Sequence, residues 1–267
     1  MSFLTANVVL AFLCNLICIR YDYIIQRSVI QHLIIKIFLS KFLKMLNKNI
    51  LTEQDIKNEF RMAFLEKREI DFKGKVLSSF FIQKKTIEGN LNLEGAIILG
   101  PVCFEETIIK GDLNLNQIII KESFYYGEGV LRGNLNLENA RMNGVVNLVG
   151  TSIGADLNFN GLIIFGFLSL AKTEIQGNVN LKEIKINDAY HAGLVTKGDL
   201  YLRQANILGS VDLQNSFIEG TLDAKDTVVG QNFNLKATKI KENLILKGAE
   251  IKGQLNLENT SYKEMIK

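Results

Sequence analysis

Cysteine, histidine, proline and tryptophan are all scarce: the 267-residue chain holds three, two, one and none of them. So little cysteine excludes a disulfide-stapled mini-protein. Cys14, Cys18 and Cys103 form no C-x-x-C pair and share no metal-ligand spacing with a histidine, so they read as ordinary reduced cysteines. The 21 glycines do not fall at every third position, which excludes collagen. A hydrophobic content of 47% is ample for a buried core and argues against disorder. Catalytic signatures are missing too. The chain has no G-x-S-x-G, no phosphate loop, no dinucleotide fingerprint and no flavin or haem motif. The expectation is a protein that is not an enzyme and uses no cofactor.

Charge is unevenly placed. Residues 1–50 carry six Lys or Arg against Asp22 alone, while the remainder is near neutral with a slight acidic excess. The body therefore offers no general field for nucleic acid, and no nucleic-acid partner is expected.

Phe3 to Ile19, FLTANVVLAFLCNLICI, is an apolar run at the lower limit for crossing a bilayer. It lacks the positive n-region and cleavage site of a secretory signal. Cations follow it, so by the positive-inside rule the body stays cytoplasmic, associated with the inner membrane. From Ile24 to Met45 lysines punctuate Ile, Leu and Phe, which suits a helix lying on an anionic membrane surface. Residues 3–45 are thus the candidate membrane contact within a hydrophobic, basic segment 1–50. A competing reading takes the first 44 residues as upstream sequence, because Met45 opens a stretch of soluble character, MLNKNILTEQD. Within 51–69 a capping helix is expected. Thr52 is its N-cap, with Asp55 three residues on, and Ile56, Phe60, Ala63 and Phe64 make one apolar face.

From Phe80 an eleven-residue repeat fills the chain. Leu91, Val102, Leu113, Phe124, Leu135, Val146, Leu157, Leu168 and Val179 are eleven apart. After one shortened unit near Tyr190 the register resumes at Leu200, Val211, Leu222, Phe233, Leu244 and Leu255. The consensus is L-x-L-x-x-A-x-I-x-G-x. Apolar residues at positions 1 and 3, then 6 and 8, alternate with polar ones, which is the period of a strand. The gaps leave room only for turns, and glycine at position 10 supplies turn dihedrals. A helix would not tolerate a glycine every eleven residues. The fold class is therefore all-β: a parallel β-helix over 70–267, two units or about 22 residues per coil, with an N-terminal α-helical segment.

The x-N-L-x-L and A-x-I-x-G phrases resemble the pentapeptide-repeat proteins, and the resemblance covers roughly residues 80–267. It implies a right-handed, four-sided solenoid. The departure is that this chain alternates five and six residues where that family repeats every five. The pattern is also similar to eleven-residue-repeat bacterial proteins sometimes called membrane-associated oxidoreductases, a label that no motif here supports.

Outward columns follow from the repeat. Asn92, Asn114, Asn136, Asn158 and Asn180 at position 2 read as a stacked amide ladder. Position 4 places Lys182, Arg203, Lys225 and Lys247 on consecutive coils, a candidate strip for an anionic or acidic partner. Ile97, Leu99, Ile119, Ile163 and Phe165, with Leu208 and Val228, flank the buried position 8 and read as an apolar interface. The C-terminal coil, with Leu255, Leu257 and Tyr262, is the candidate surface for self-association. The expected function is a non-catalytic structural or protein-interaction scaffold at the cytoplasmic membrane surface. Two alternatives stand beside it. One is a β-helix enzyme with a small site at 188–198, around Tyr190 and His191. The other is a nucleic-acid mimic that binds a DNA-handling protein, against which the body charge weighs.

Overall fold

The computed structural model describes residues 50–191 and 194–267. Residues 50–267 form one compact unit. The segment 3–45, and with it Cys14 and Cys18, lies outside the described residues. No helix among the described residues is long and apolar enough to cross a membrane.

Each eleven-residue unit contributes two short strands, usually of two residues, separated by tight turns. Successive coils pair in parallel about 22 residues apart, as Leu113 does with Leu91 and with Leu135. Four parallel sheets result, of nine, nine, nine and eight strands. In chain order around a coil, face 1 runs from Ile70–Asp71 to Leu255–Asn256 and face 2 from Ile50–Leu51 to Lys239–Ile240. Face 3 runs from Phe80–Phe81 to Glu264–Ile266, and face 4 from Thr86–Ile87 to Glu250–Ile251. The expected parallel β-solenoid with about 22 residues per coil is the observed fold.

Strand alternation sends positions 1, 3, 6 and 8 inward. Leu137, Leu170 and Leu213 have no exposed surface. Aromatic rings fill the first coils: Phe72 meets Phe80 at 5.4 Å, and Phe104 follows at 5.5 Å from Phe80. Position 6 sits at an inner corner and is small in most units, with Ile118, Leu162 and Ile184 as larger, fully buried exceptions. Most threonines there donate their hydroxyl across to the preceding coil, as Thr107 does to the Ile82 carbonyl and Thr227 to the Leu202 carbonyl, both at 2.6 Å, whereas Thr173 donates to Leu170 of its own unit.

One expectation about the turns needs correction. Position 10 glycines such as Gly111, Gly133 and Gly209 do not have positive φ. They are needed for close approach: a Cβ on Gly133 would lie 2.7 Å from the Gly111 carbonyl carbon and oxygen one coil back. The left-handed residue is instead position 5. From Lys84 to Asn259 every unit has positive φ there, and only Gly95, Gly150, Gly161 and Gly248 among them are glycine. Leu93 to Ala96 shows why. The Ala96 N–H donates to the Leu93 carbonyl at 3.0 Å, so Gly95 is the third residue of a four-residue turn, where positive φ marks type II.

Helix α1 spans Glu53–Glu66. Its capping box is complete: Asp55 N–H donates to Thr52 Oγ1 at 3.3 Å and Thr52 N–H to Asp55 Oδ2 at 2.8 Å. Ile56 and Ala63 are buried, and Phe60 lies 6.2 Å from Phe72 and 6.4 Å from Phe80. The helix thus packs on the first coil of the core. Phe64 does not join that face; it is 79% exposed.

The unit near Tyr190 is not a shortened repeat. Val179 pairs with Val211 and Leu168 with Leu200, both 32 residues on. Ten extra residues, 188–197, are inserted at the corner between faces 2 and 3. They rise as an antiparallel hairpin, Ala189–His191 against Leu194–Thr196.

Candidate interaction surface

The insertion reassigns the outward columns. Lys182 follows a face 1 strand, whereas Arg203, Lys225 and Lys247 follow face 3 strands. The four cations are therefore not one strip. Lys182 pairs with Asp212 of the next coil at 3.2 Å. Arg203 Nε donates to Asp223 at 2.5 Å, and that nearly buried carboxylate pushes the guanidinium pKa up. Arg203 also stacks 5.6 Å from the Tyr201 ring centre. The Tyr201 hydroxyl, desolvated by burial and bonded to Asp199 at 2.6 Å, is pushed up to about 12. Lys225 approaches Asp226 only loosely, at 3.9 Å. Lys172, Arg203, Lys225 and Asp226 line a depression of about 310 Å³.

The apolar set is brought together in part. Ile97, Ile119 and Ile163 stand in one face 2 column with Arg141 between the last two. Arg141 lies over the Phe165 ring at 5.0 Å, so a cation caps that end. Leu99 is 42% exposed, while Ile97, Ile119, Ile163 and Phe165 are half-buried. Leu208 and Val228 belong elsewhere, on face 4, where Val228 pairs with Asn206.

The hairpin is firmly rooted. Asp188 accepts the Gly198 N–H at 2.8 Å and ion-pairs with Lys197 at 3.5 Å. Its own N–H donates to Glu219 at 3.0 Å, and Glu219 bonds Lys241 at 2.6 Å. These two donors hold the Glu219 carboxyl below the usual carboxylate range, Lys241 contributing most. Beneath the hairpin lies a groove of about 380 Å³. Lys121, Ser123, Asn143 and Phe165 line it from the rod, and Ala189 and Thr196 from the hairpin. Tyr190, Leu194 and Val195 point away from the core, 72, 75 and 50% exposed.

Two polar ladders run the length of face 1. The expected amide column is present, with Asn114 to Asn92 at 3.2 Å and Asn180 to Asn158 at 3.0 Å. Register carries it past the insertion as Asp212, Asn234 and Asn256. The second ladder escaped notice in the sequence. It stands one residue before face 1, as Asn90, Asp112, Asn134, Asp156 and Asn178, and each side chain accepts the backbone N–H of its successor one coil on. The regular Asn/Asp alternation before each L-N-L phrase was its signal.

No protein-family model matches the chain, and no curated protein matches it either. Among the described residues, no group of three His, Cys, Asp or Glu is placed to hold a metal ion.

Proposed function

We propose that the chain is a non-catalytic scaffold, akin to the pentapeptide-repeat rods, that presents flat faces to a protein partner at the cytoplasmic surface of the inner membrane. The supporting observation is where the polar side chains go. The amides and carboxylates of face 1 and the corner threonines bond from coil to coil, so they stiffen the rod and are not gathered into one cleft. A rigid rod with long faces suits recognition by area. Its candidate contacts are Ile97, Leu99, Ile119, Ile163 and Phe165 on face 2, Lys182 beside face 1, and Arg203, Lys225 and Lys247 at the corner of faces 3 and 4. Residues 3–45 are the proposed membrane contact. The last described coil is the proposed surface for a second copy. Ile251, Leu255, Leu257 and Met265 are half-buried there, where Val229, Phe233, Leu235 and Leu244 one coil inward are fully covered.

The test is affinity capture with the full chain and with its Ile97→Asp/Ile119→Asp variant. A partner retained by the first and lost by the second, at unchanged circular dichroism, supports the scaffold reading. Equal retention by both, or none by either, overturns it. Membrane attachment is read separately: full-length protein left wholly in the supernatant with anionic vesicles at low salt removes that part.

A further inference from the structure

Face 2 differs from faces 1 and 4 in charge. The residues on either side of its inward column include Lys121, Arg141, Lys185, Lys239 and Lys241, against Glu219 alone. Face 1 presents Lys73, Lys182 and Lys236 against more carboxylates than that, Asp71, Glu94, Glu138, Asp212 and Glu258 among them. On face 4, Lys110, Arg132 and Lys252 are offset by Glu88, Glu174 and Glu250. Acids return at the corners on either side of face 2, at Glu183 before it and at Glu122, Asp188 and Glu242 after it.

The same face is apolar between its cations. Ile97, Ile119, Ile163, Phe165 and Phe217 alternate with the basic residues along the columns. Two of the cations lie over rings, Arg141 over Phe165 at 5.0 Å and Lys241 over Phe217 at 5.5 Å. At its edge stands the hairpin, whose Tyr190, Leu194 and Val195 are all exposed. An isolated exposed leucine is ordinary; three such side chains on a two-stranded projection are not.

We propose that the part of face 2 from Lys185 to Lys241 lies on an anionic lipid surface, with Tyr190, Leu194 and Val195 of the hairpin entering the headgroup region, which leaves the earlier part, from Ile97 to Phe165, to the protein partner. This rests on the membrane reading above and assigns the surface of the rod that does the contacting. The chemistry is complementary in both parts. Phosphate and carboxylate headgroups balance the excess of cations. Leu194 and Val195 transfer aliphatic area out of water, and the amphipathic Tyr190 suits the interface. A nucleic acid or an acidic polypeptide would meet the same cations, but neither has a place for the leucine and valine of the hairpin.

Because the chain has no tryptophan, a single Leu194→Trp substitution reports on the hairpin alone. Full-length protein carrying it is titrated with vesicles of phosphatidylcholine, with and without phosphatidylserine. The expected result is a blue-shifted emission, shielded from aqueous quencher, with the anionic vesicles only. A Val130→Trp control on face 4 stays unshifted. The Lys185→Glu/Lys239→Glu pair is expected to weaken vesicle binding at least about tenfold. Protein that pellets with anionic vesicles while Leu194→Trp emission stays unchanged overturns the face assignment and leaves the membrane reading standing. No pelleting at all overturns both. An equal shift in the Val130→Trp control, or a shift of Leu194→Trp on adding an oligonucleotide or polyglutamate without lipid, also overturns the assignment.

Discussion

Asn134 is held to Asp112, 22 residues earlier and one coil away, by two hydrogen bonds to the same carboxylate oxygen. Its backbone N–H donates at 2.6 Å and its side-chain amide at 3.0 Å. The relation recurs up the corner, where neutral and ionised side chains alternate through Asp156 and Asn178. Alternation keeps carboxylates two coils apart, roughly 10 Å, where water and salt screen them. Asn134→Asp would stack carboxylates at 112, 134 and 156. Each neighbouring pair then repels by about 1 kcal/mol. The expected outcome is a loss of roughly 1–2 kcal/mol by urea denaturation at low salt, largely recovered in 1 M salt. A salt-independent loss would show that packing, not charge, sets the alternation.

The turn residues give an opposite pair. Ala237 is exposed and holds φ at 56°, a conformation costing roughly 1 kcal/mol for a residue with a Cβ. Ala237→Gly removes that strain and is expected to raise stability by up to about 1 kcal/mol, offset in part by unfolded-state entropy. Gly133→Ala is expected to lower it by about 2 kcal/mol or more, since the new methyl meets backbone one coil back that cannot rotate aside. Matched chemical-denaturation curves decide; a stabilising Gly133→Ala would contradict the close-approach account.

Core leucines are equally specific. Leu170 has no exposed surface, whereas Leu208 is 48% exposed. Leu170→Ala is expected to cost about 2–5 kcal/mol, and Leu208→Ala less than about 1. Comparable losses at both sites would mean the inward register is misassigned.

The repeat was legible because its causes are local. Inward leucines at a two-residue period, a small residue at the inner corner and a glycine at the outer one recur every eleven residues, and each is fixed by one steric demand. The hairpin at 188–197 was hidden by coincidence. Eleven residues past Val179 falls on Tyr190, an apolar residue, and Leu200 follows ten later, so a ten-residue insertion passes for a short unit. That slip moves every later unit by half a coil. It is why Lys182 was grouped with Arg203, Lys225 and Lys247, and why the amide column was ended at Asn180 when it continues at Asp212. The glycines misled for a different reason. Spacing shows that a position tolerates no side chain but not whether dihedral or neighbour forbids it, and the left-handed position 5 carries Lys, Glu, Gln, Asn and Asp as well as glycine.

The last described coil supplies a test of self-association. Phe233 and Leu235 donate their N–H groups to Gln254 and Asn256 of the following coil. By the same register the Leu255 and Leu257 N–H groups point onward, away from the rod. Exposed donors of this kind are templates for another strand. Sedimentation of the full chain at tens of micromolar is expected to show dimers, and Leu257→Pro, which removes one onward donor, is expected to shift them toward monomer. A strict monomer at that concentration refutes the pairing.

Acid should loosen the hairpin through Glu219. Its folded pKa is depressed from 4.5, first by the Lys241 hydrogen bond and then by the Asp188 N–H. A depressed carboxyl pKa contributes stability that is fully present above the unfolded value and is lost as pH falls through the folded one. At neutral pH, Glu219→Gln is therefore expected to melt below the wild type, by less than about 1 kcal/mol because the pair is partly solvated. The difference should shrink below pH 4.5 and vanish once the wild-type carboxyl is protonated. Hydrogen exchange at the Asp188 amide offers the local reading, since that N–H donates to Glu219. Its protection should fall with acid in the wild type and be low at every pH in Glu219→Gln. A gap between the two proteins that stays constant into acid would assign the effect to packing of the side chain rather than to its charge.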